Sequence, residues 1–301
     1  MGDKQSQGAG RLSLDERLPL GVGLCSAFAG VVAYAGAMAD QALAHPVYAV
    51  HEFRKALRRA RAVVRLARPV LGDASYLELV HPLRDALRGT SPLRDAAVLL
   101  QTLDSLPERA ALRPARKVLR RLLEQERTAA GPGDPVVELR RSLQLVEPMP
   151  ERLQACLPGE LRWRQLRAGL ERSYRRTRRA RKRAFRSRED ADVHRFRKRA
   201  KELRYQLELL DAAGGGKPGR AHRALAALAE ALGEVTDLTL LRRSARLRQR
   251  EIEGEGARAE ALLAALDQAI ARRLDDLAAS SRPVFDRPPR EFAERAVRSF
   301  H

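Results

Sequence analysis

A twelve-residue stretch beginning at Val50, VHEFRKALRRAR, is echoed 143 residues later by VHRFRKRAKELR, beginning at Val193. At that offset Val50, His51, Phe53, Arg54, Lys55, Arg61, Leu66 and Gly72 each meet the same residue type. The echo continues downstream: Asp95, in SPLRDAAVLL, follows His51 by 44 residues, and Asp237, in GEVTDLTLL, follows His194 by 43. Two landmarks in the same order and at matching spacing argue for an internal duplication. A chain of 301 residues is long enough for two such units around a sizeable core.

Apolar periodicity near 3.6 runs through most of the chain, and alternating β-branched stretches with hairpin turns are missing, so the expected class is all-α. Breaks fall at His45-Pro46, Gly72-Asp73, Gly89 to Pro92, Leu106-Pro107, Gly131 to Pro135, Pro148 to Pro150, Pro158-Gly159, Gly214 to Gly219, Gly254 to Gly256 and Pro283 to Pro289. They divide the chain into a flexible tail over 1–17, a first helical half over 18–145, a Pro-rich linker over 146–159, a second half over 160–282 and a flexible tail over 283–301.

On a helix the first motif places His51, Arg54, Lys55, Arg58, Arg61 and Arg65 on one side, with Phe53, Leu57, Ala60, Val64 and Leu71 opposite. The second places His194, Arg197, Lys198, Lys201 and Arg204 opposite Phe196, Ala200, Leu203, Leu207 and Leu210. Each helix is therefore expected to dock its apolar stripe and turn a histidine-headed cationic ladder outward. Like charges three and four residues apart destabilise an isolated helix. A ladder written twice, with Glu52 the only acid between residues 51 and 68, thus points to an anion that neutralises it. The chain as a whole agrees, with 58 Lys and Arg against 38 Asp and Glu and a formal charge of +20. Between residues 172 and 188 lie ten more basic residues and no acid, of which Tyr174, Arg175 and Arg178 share a side and are expected contacts. Arginine outnumbers lysine heavily. Its planar fork suits phosphate oxygens, although an Arg- and Ala-rich composition is also what a GC-rich genome writes.

VHEFRKALRRAR, VHRFRKRAKELRYQLELL and the two Asp segments resemble those of the CHAD family, helical domains named for their histidines. The likeness runs from about residue 18 to residue 281. The resemblance implies two pseudo-two-fold-related helical bundles around a central basic groove or pore. It also implies binding of inorganic polyphosphate, at polyphosphate granules in a bacterial cytoplasm. Carried over by position, the ligand residues are His51, Arg54, Lys55, Arg58 and Arg61 with His194, Arg197, Lys198, Lys201 and Arg204, and reversing Arg54 and Arg197 together is expected to abolish binding with helicity intact. Thr236 departs from the pattern, standing where the first half has Arg94.

Other readings remain open. A nucleic-acid binder fits the charge, but aromatic stacking platforms are scarce, and Tyr205 is the one exposed aromatic expected on either motif helix. A phosphate-chain-processing enzyme, or a regulator of one, would need a carboxylate cluster for a metal, and none is evident, so the expectation is a non-enzyme without metal or cofactor. Asp95 and Asp237 read as helix caps or arginine partners. The loop GGGKPGR from Gly214 follows a helix and lacks the Lys-Ser/Thr ending of a phosphate-cradling loop. Cys25 and Cys156 have no metal or disulfide spacing, which suits a reducing cytoplasm. Residues 18–39 carry no charge, yet they are rich in Gly and Ala and lack a basic leader, so a buried core helix and no membrane partner are expected, with a signal or anchor segment as the alternative.

Overall fold

The computed structural model describes residues 10, 12, 14–15, 17–129, 134–213 and 219–297, with the side chains of 91–97, 127–129, 212, 213 and 297 left aside. Among the described residues there is no strand, and the fold is all-α. In chain order the helices are α1 (Leu20–Asp40), α2 (Pro46–Gly89), α3 (Ser91–Asp104), α4 (Arg113–Ala129), α5 (Pro135–Gln144) and α6 (Met149–Cys156). They continue with α7 (Trp163–Ser187), α8 (Asp190–Ala213), α9 (Arg220–Leu247), α10 (Gln249–Gly254), α11 (Ala259–Ser280) and α12 (Pro289–Val297).

The punctuation residues act where their backbone chemistry requires. Proline opens α2 and α5, where its missing N–H leaves no bond unmade. Gly72 interrupts α2 at φ 73° and ψ 175°, a conformation open to glycine and strained for other residues, so the helix breaks into two arms. The first arm buries Phe53, Leu57, Ala60, Val64 and Leu71, and α8 buries Phe196, Ala200, Leu203, Leu207 and Leu210, the stripes expected from the periodicity.

α1, uncharged until its last residue Asp40, packs along α2 with Leu24, Phe28, Val31 and Ala35 buried. Among the described residues it is the one helix long and apolar enough to cross a membrane, and 50% of its most apolar window is buried inside the bundle.

The two motif helices cross each other directly. Arg59 Nη2 meets Glu208 Oε1 at 2.7 Å, Arg65 pairs with Glu202, and Gln206 Nε2 donates to the Ala62 carbonyl at 3.2 Å. Ascending one helix means descending the other, so they run antiparallel. The 143-residue offset of the motifs carries the Arg59–Glu208 bridge onto the Glu202–Arg65 bridge with the partners exchanged. Buried ion pairs of this kind hold a register more than they add net stability.

α7 lies against both motif helices, and its approach to α2 depends on Gly169. A Cβ at Gly169 would overlap the Leu66 carbonyl. Gly169→Ala must therefore push α7 off α2, and a loss of about 2 kcal/mol is expected in a denaturant titration. An unchanged midpoint would mean that the two helices are not held this closely.

Three segment boundaries need correction. The 146–159 stretch is not merely a linker, since it forms α6 and buries Met149 and Leu153. The 283–301 stretch is not a free tail: α12 docks on α7 and α8 with Phe285, Phe292 and Ala293 buried, while 298–301 lie outside the described residues. In the 1–17 stretch Leu12 is buried and the Gly10 carbonyl accepts from Arg59 Nη1 at 2.9 Å, so its described part is anchored.

A candidate anion-binding cleft beside the crossed helices

A cleft of about 1010 Å³ opens beside the crossing. α2 supplies His51, Lys55 and Arg58, and α8 supplies Arg197, Lys201 and Arg204. The His51 side chain is 62% exposed, with Nε2 3.8 Å from Glu52 Oε1. Glu52 is buried and also accepts from Lys55 Nζ and from the Tyr34 hydroxyl, so it holds the Lys55 ammonium in place. The guanidinium carbon of Arg204 lies 4.8 Å from the centre of the Tyr205 ring, which Arg59 also approaches at 5.5 Å. Such packing presents a guanidinium edge in a set direction.

A second cavity of about 440 Å³ adjoins the first and is lined by His194, Thr236 and Arg243. The two meet at Val98, Arg197 and Asp237. Arg197 is buried, its Nη1 lies 3.8 Å from Asp237 Oδ1, and Gly233 leaves just enough room for its guanidinium. The two motif histidines thus line adjoining cavities that share Val98, Arg197 and Asp237. Beside α8, α9 presents Glu230, Glu234 and Asp237 to the cleft, with Glu234 3.2 Å from Arg273 Nε. The cleft is cationic along α2 and α8 and acidic along α9, with further cations from α11.

Several expected site residues sit elsewhere. Arg54 does not face outward. At 7% exposure it points into the junction of α2 and α3 and donates through Nη1 to the Leu87 carbonyl at 2.7 Å and to Thr90 Oγ1 at 2.6 Å. Leu87 belongs to the last turn of α2, the negative end of the helix dipole, so a cation is favoured there. Tyr174 is a core residue: its ring stacks on Phe292 at 4.0 Å, and its hydroxyl donates to the Val284 and Arg287 carbonyls at 3.1 and 3.2 Å. Burial pushes that phenol up to about 12. Arg175 is exposed and paired with Glu171, and neither Arg175 nor Arg178 lines the cleft. Tyr205, expected to be exposed, is buried at 4%.

Asp237 caps no helix; it lies within α9 and serves as a partner of Arg197. The side chains of Arg94 and Asp95, and the loop residues 214–218, lie outside the described set. Arg61, Arg65 and Lys198 are absent from the cleft lining and lie over the crossing, beside Arg199. Burial, then the charges of Arg58 and Arg199, pushes Arg61 down to about 10. Burial, then Arg65 and Arg176, does the same to Arg199.

Arg109, Arg272 and Arg273 line the cleft without having been singled out from the sequence. They stand in a loop and on α11, in no repeat, and only tertiary packing carries them to the motif helices. Among the described residues no group of three or more His, Cys, Asp or Glu is arranged to hold a metal ion. Cys25 and Cys156 are free, and burial raises the Cys25 thiol.

Fold and site together define an all-helical protein in which two crossed basic helices open onto a cationic cleft. The chain belongs to the CHAD domain family, whose model matches residues 31–246. The fold is similar to that in the crystal structure of the CHAD domain from the plant Ricinus communis, with a TM-score of 0.56 at 19% identity, covering 97% of this chain and 96% of that one. No curated protein sequence matches the chain.

Proposed function

We propose that the chain binds inorganic polyphosphate in the cleft, as a binding protein and not as an enzyme, in a bacterial cytoplasm and at polyphosphate granules. The observation that carries this reading is the gathering of His51, Lys55, Arg58, Arg197, Lys201 and Arg204 from two helices into one cavity. Membership of the CHAD domain family supports it further. Polyphosphate has a regularly spaced charge and no bases, so a protein can read only its charge spacing and shape. Guanidinium forks and ammonium groups on two walls suit such a chain. A base-reading role is less suited to the cleft. Tyr205 is its only described aromatic lining residue, and guanidiniums already approach that ring, which leaves no stacking platform.

Calorimetric titration of the full chain at two salt concentrations tests the reading. Binding should weaken steeply with salt as counterions released from the polyanion are taken back. Duplex DNA at equal phosphate concentration should fail to displace polyphosphate, and efficient displacement would move the assignment to nucleic acid. Release of free phosphate in the presence of Mg²⁺ would overturn the non-enzymatic part. Histidine ordinarily titrates near pH 6.5, and a bound polyanion favours its protonated form. Protonation of His51 adds a cation to the cleft, so affinity should be higher at about pH 6 than at about pH 8. A flat profile would remove the histidine from the charge balance.

A further inference from the structure

The cleft does not account for all the cations around the crossing. Arg61 and Arg65 from α2, Lys198 and Arg199 from α8 and Arg176 from α7 gather where the three helices meet. Arg65 Nη1 and Arg199 Nη1 both reach Glu202 Oε2, the latter at 3.3 Å. Glu202 is buried, and among the described residues it is the only carboxylate paired with any of these five cations. Arg61 and Arg199 keep their charge although burial and neighbouring guanidiniums disfavour it, and Lys198 is pulled down by burial and then by Arg61. One carboxylate beneath five cations leaves a region short of negative charge. An anion that enters it removes repulsion already present in the fold, so binding there gains more than at an isolated surface arginine. Arg58 joins this region to the cleft: it lines the cleft and acts on both Arg61 and Lys198.

We infer that Arg61, Arg176, Lys198 and Arg199 form a second anion subsite outside the cleft, which takes the phosphates of a chain too long for the cleft alone. The inference rests on the polyphosphate reading of the cleft and extends it to chain-length selectivity. A short phosphate ligand satisfies the cleft and stops there. A long one passes Arg58 and continues over the crossing towards α7, adding contacts that a short ligand cannot make.

The experiment compares tripolyphosphate with long-chain inorganic polyphosphate on the full-length wild type and on the double variant Arg176→Gln, Arg199→Gln. Both replacements remove like charges and leave Arg65 on Glu202, so the melting temperature should not fall. Losing two charge-assisted phosphate contacts should weaken long-chain binding about a hundredfold and flatten its salt dependence, with tripolyphosphate binding unchanged. In parallel, acetylation of Lys198 should be blocked by the long chain and not by tripolyphosphate. Equal losses for the two ligands, or none for either, would overturn the second subsite, as would equal protection of Lys198. Failure of the wild type to bind either ligand would overturn the cleft reading itself, a result distinct from the others.

Discussion

Replacing Lys55, Arg58 and Lys201 together by glutamine lowers the affinity for polyphosphate roughly a thousandfold on the proposed reading, because three charge-assisted contacts of about 1.5 kcal/mol each are lost. All three line the cleft, two from α2 and one from α8, so the variant strips cations from both helices at once. None is fully buried, and glutamine keeps much of each aliphatic stem, so helicity and melting temperature should hold. Removing like charges relieves repulsion; the pair of Lys55 with Glu52 is disturbed, and Glu52 keeps the Tyr34 hydroxyl. Circular dichroism and a titration on the same sample check both parts. Retained affinity in a folded variant would place the site elsewhere on the basic surface.

Reversing Arg54 has a different outcome from the one its motif position suggests. Arg54→Glu puts a carboxylate against the Leu87 carbonyl and Thr90 in a buried junction, where the native guanidinium satisfies both. Breaking a buried charged network costs about 3–5 kcal/mol, a large share of a typical domain's stability. The expected result is a drop in melting temperature and a poorly folded chain, with loss of binding only as a consequence. Full stability after Arg54→Glu would show that the α2–α3 junction is not organised around this guanidinium. The binding test therefore belongs on Lys55, Arg58 and Lys201, and the stability test on Arg54.

The contrast shows what a helical wheel can and cannot read. Periodicity correctly gave the buried faces, because every stripe residue must leave water whatever its partner: Phe53, Leu57 and Ala60 on one helix, Phe196, Ala200 and Leu203 on the other. Proline and glycine likewise marked the ends of α2, α5 and α9, since their constraints act within a few residues. The wheel treats all cations on the polar side alike, and tertiary packing does not. Arg54 was drawn in by the Leu87 carbonyl and the Thr90 hydroxyl at the end of α2, and Arg65 by Glu202 from a helix more than a hundred residues away. Tyr174 shared a side with Arg178 on paper, but the segment expected to be a loose tail folds over it and makes it core. Arg109 and Arg272 carry no local signal, and only the meeting of distant elements brings them to the cleft.

Lysine is scarce enough here to report on the site directly, for the chain has only seven, at positions 4, 55, 117, 182, 198, 201 and 217. Lys55 and Lys201 line the cleft, while Lys117 and Lys182 are exposed and absent from its lining. Acetylation of the wild-type protein with and without polyphosphate, read by mass spectrometry, tests the central claim. The account predicts strong protection of Lys55 and Lys201 with Lys117 and Lys182 still reactive. Equal protection at all four, or protection of Lys182 with Lys55 and Lys201 unprotected, would contradict it.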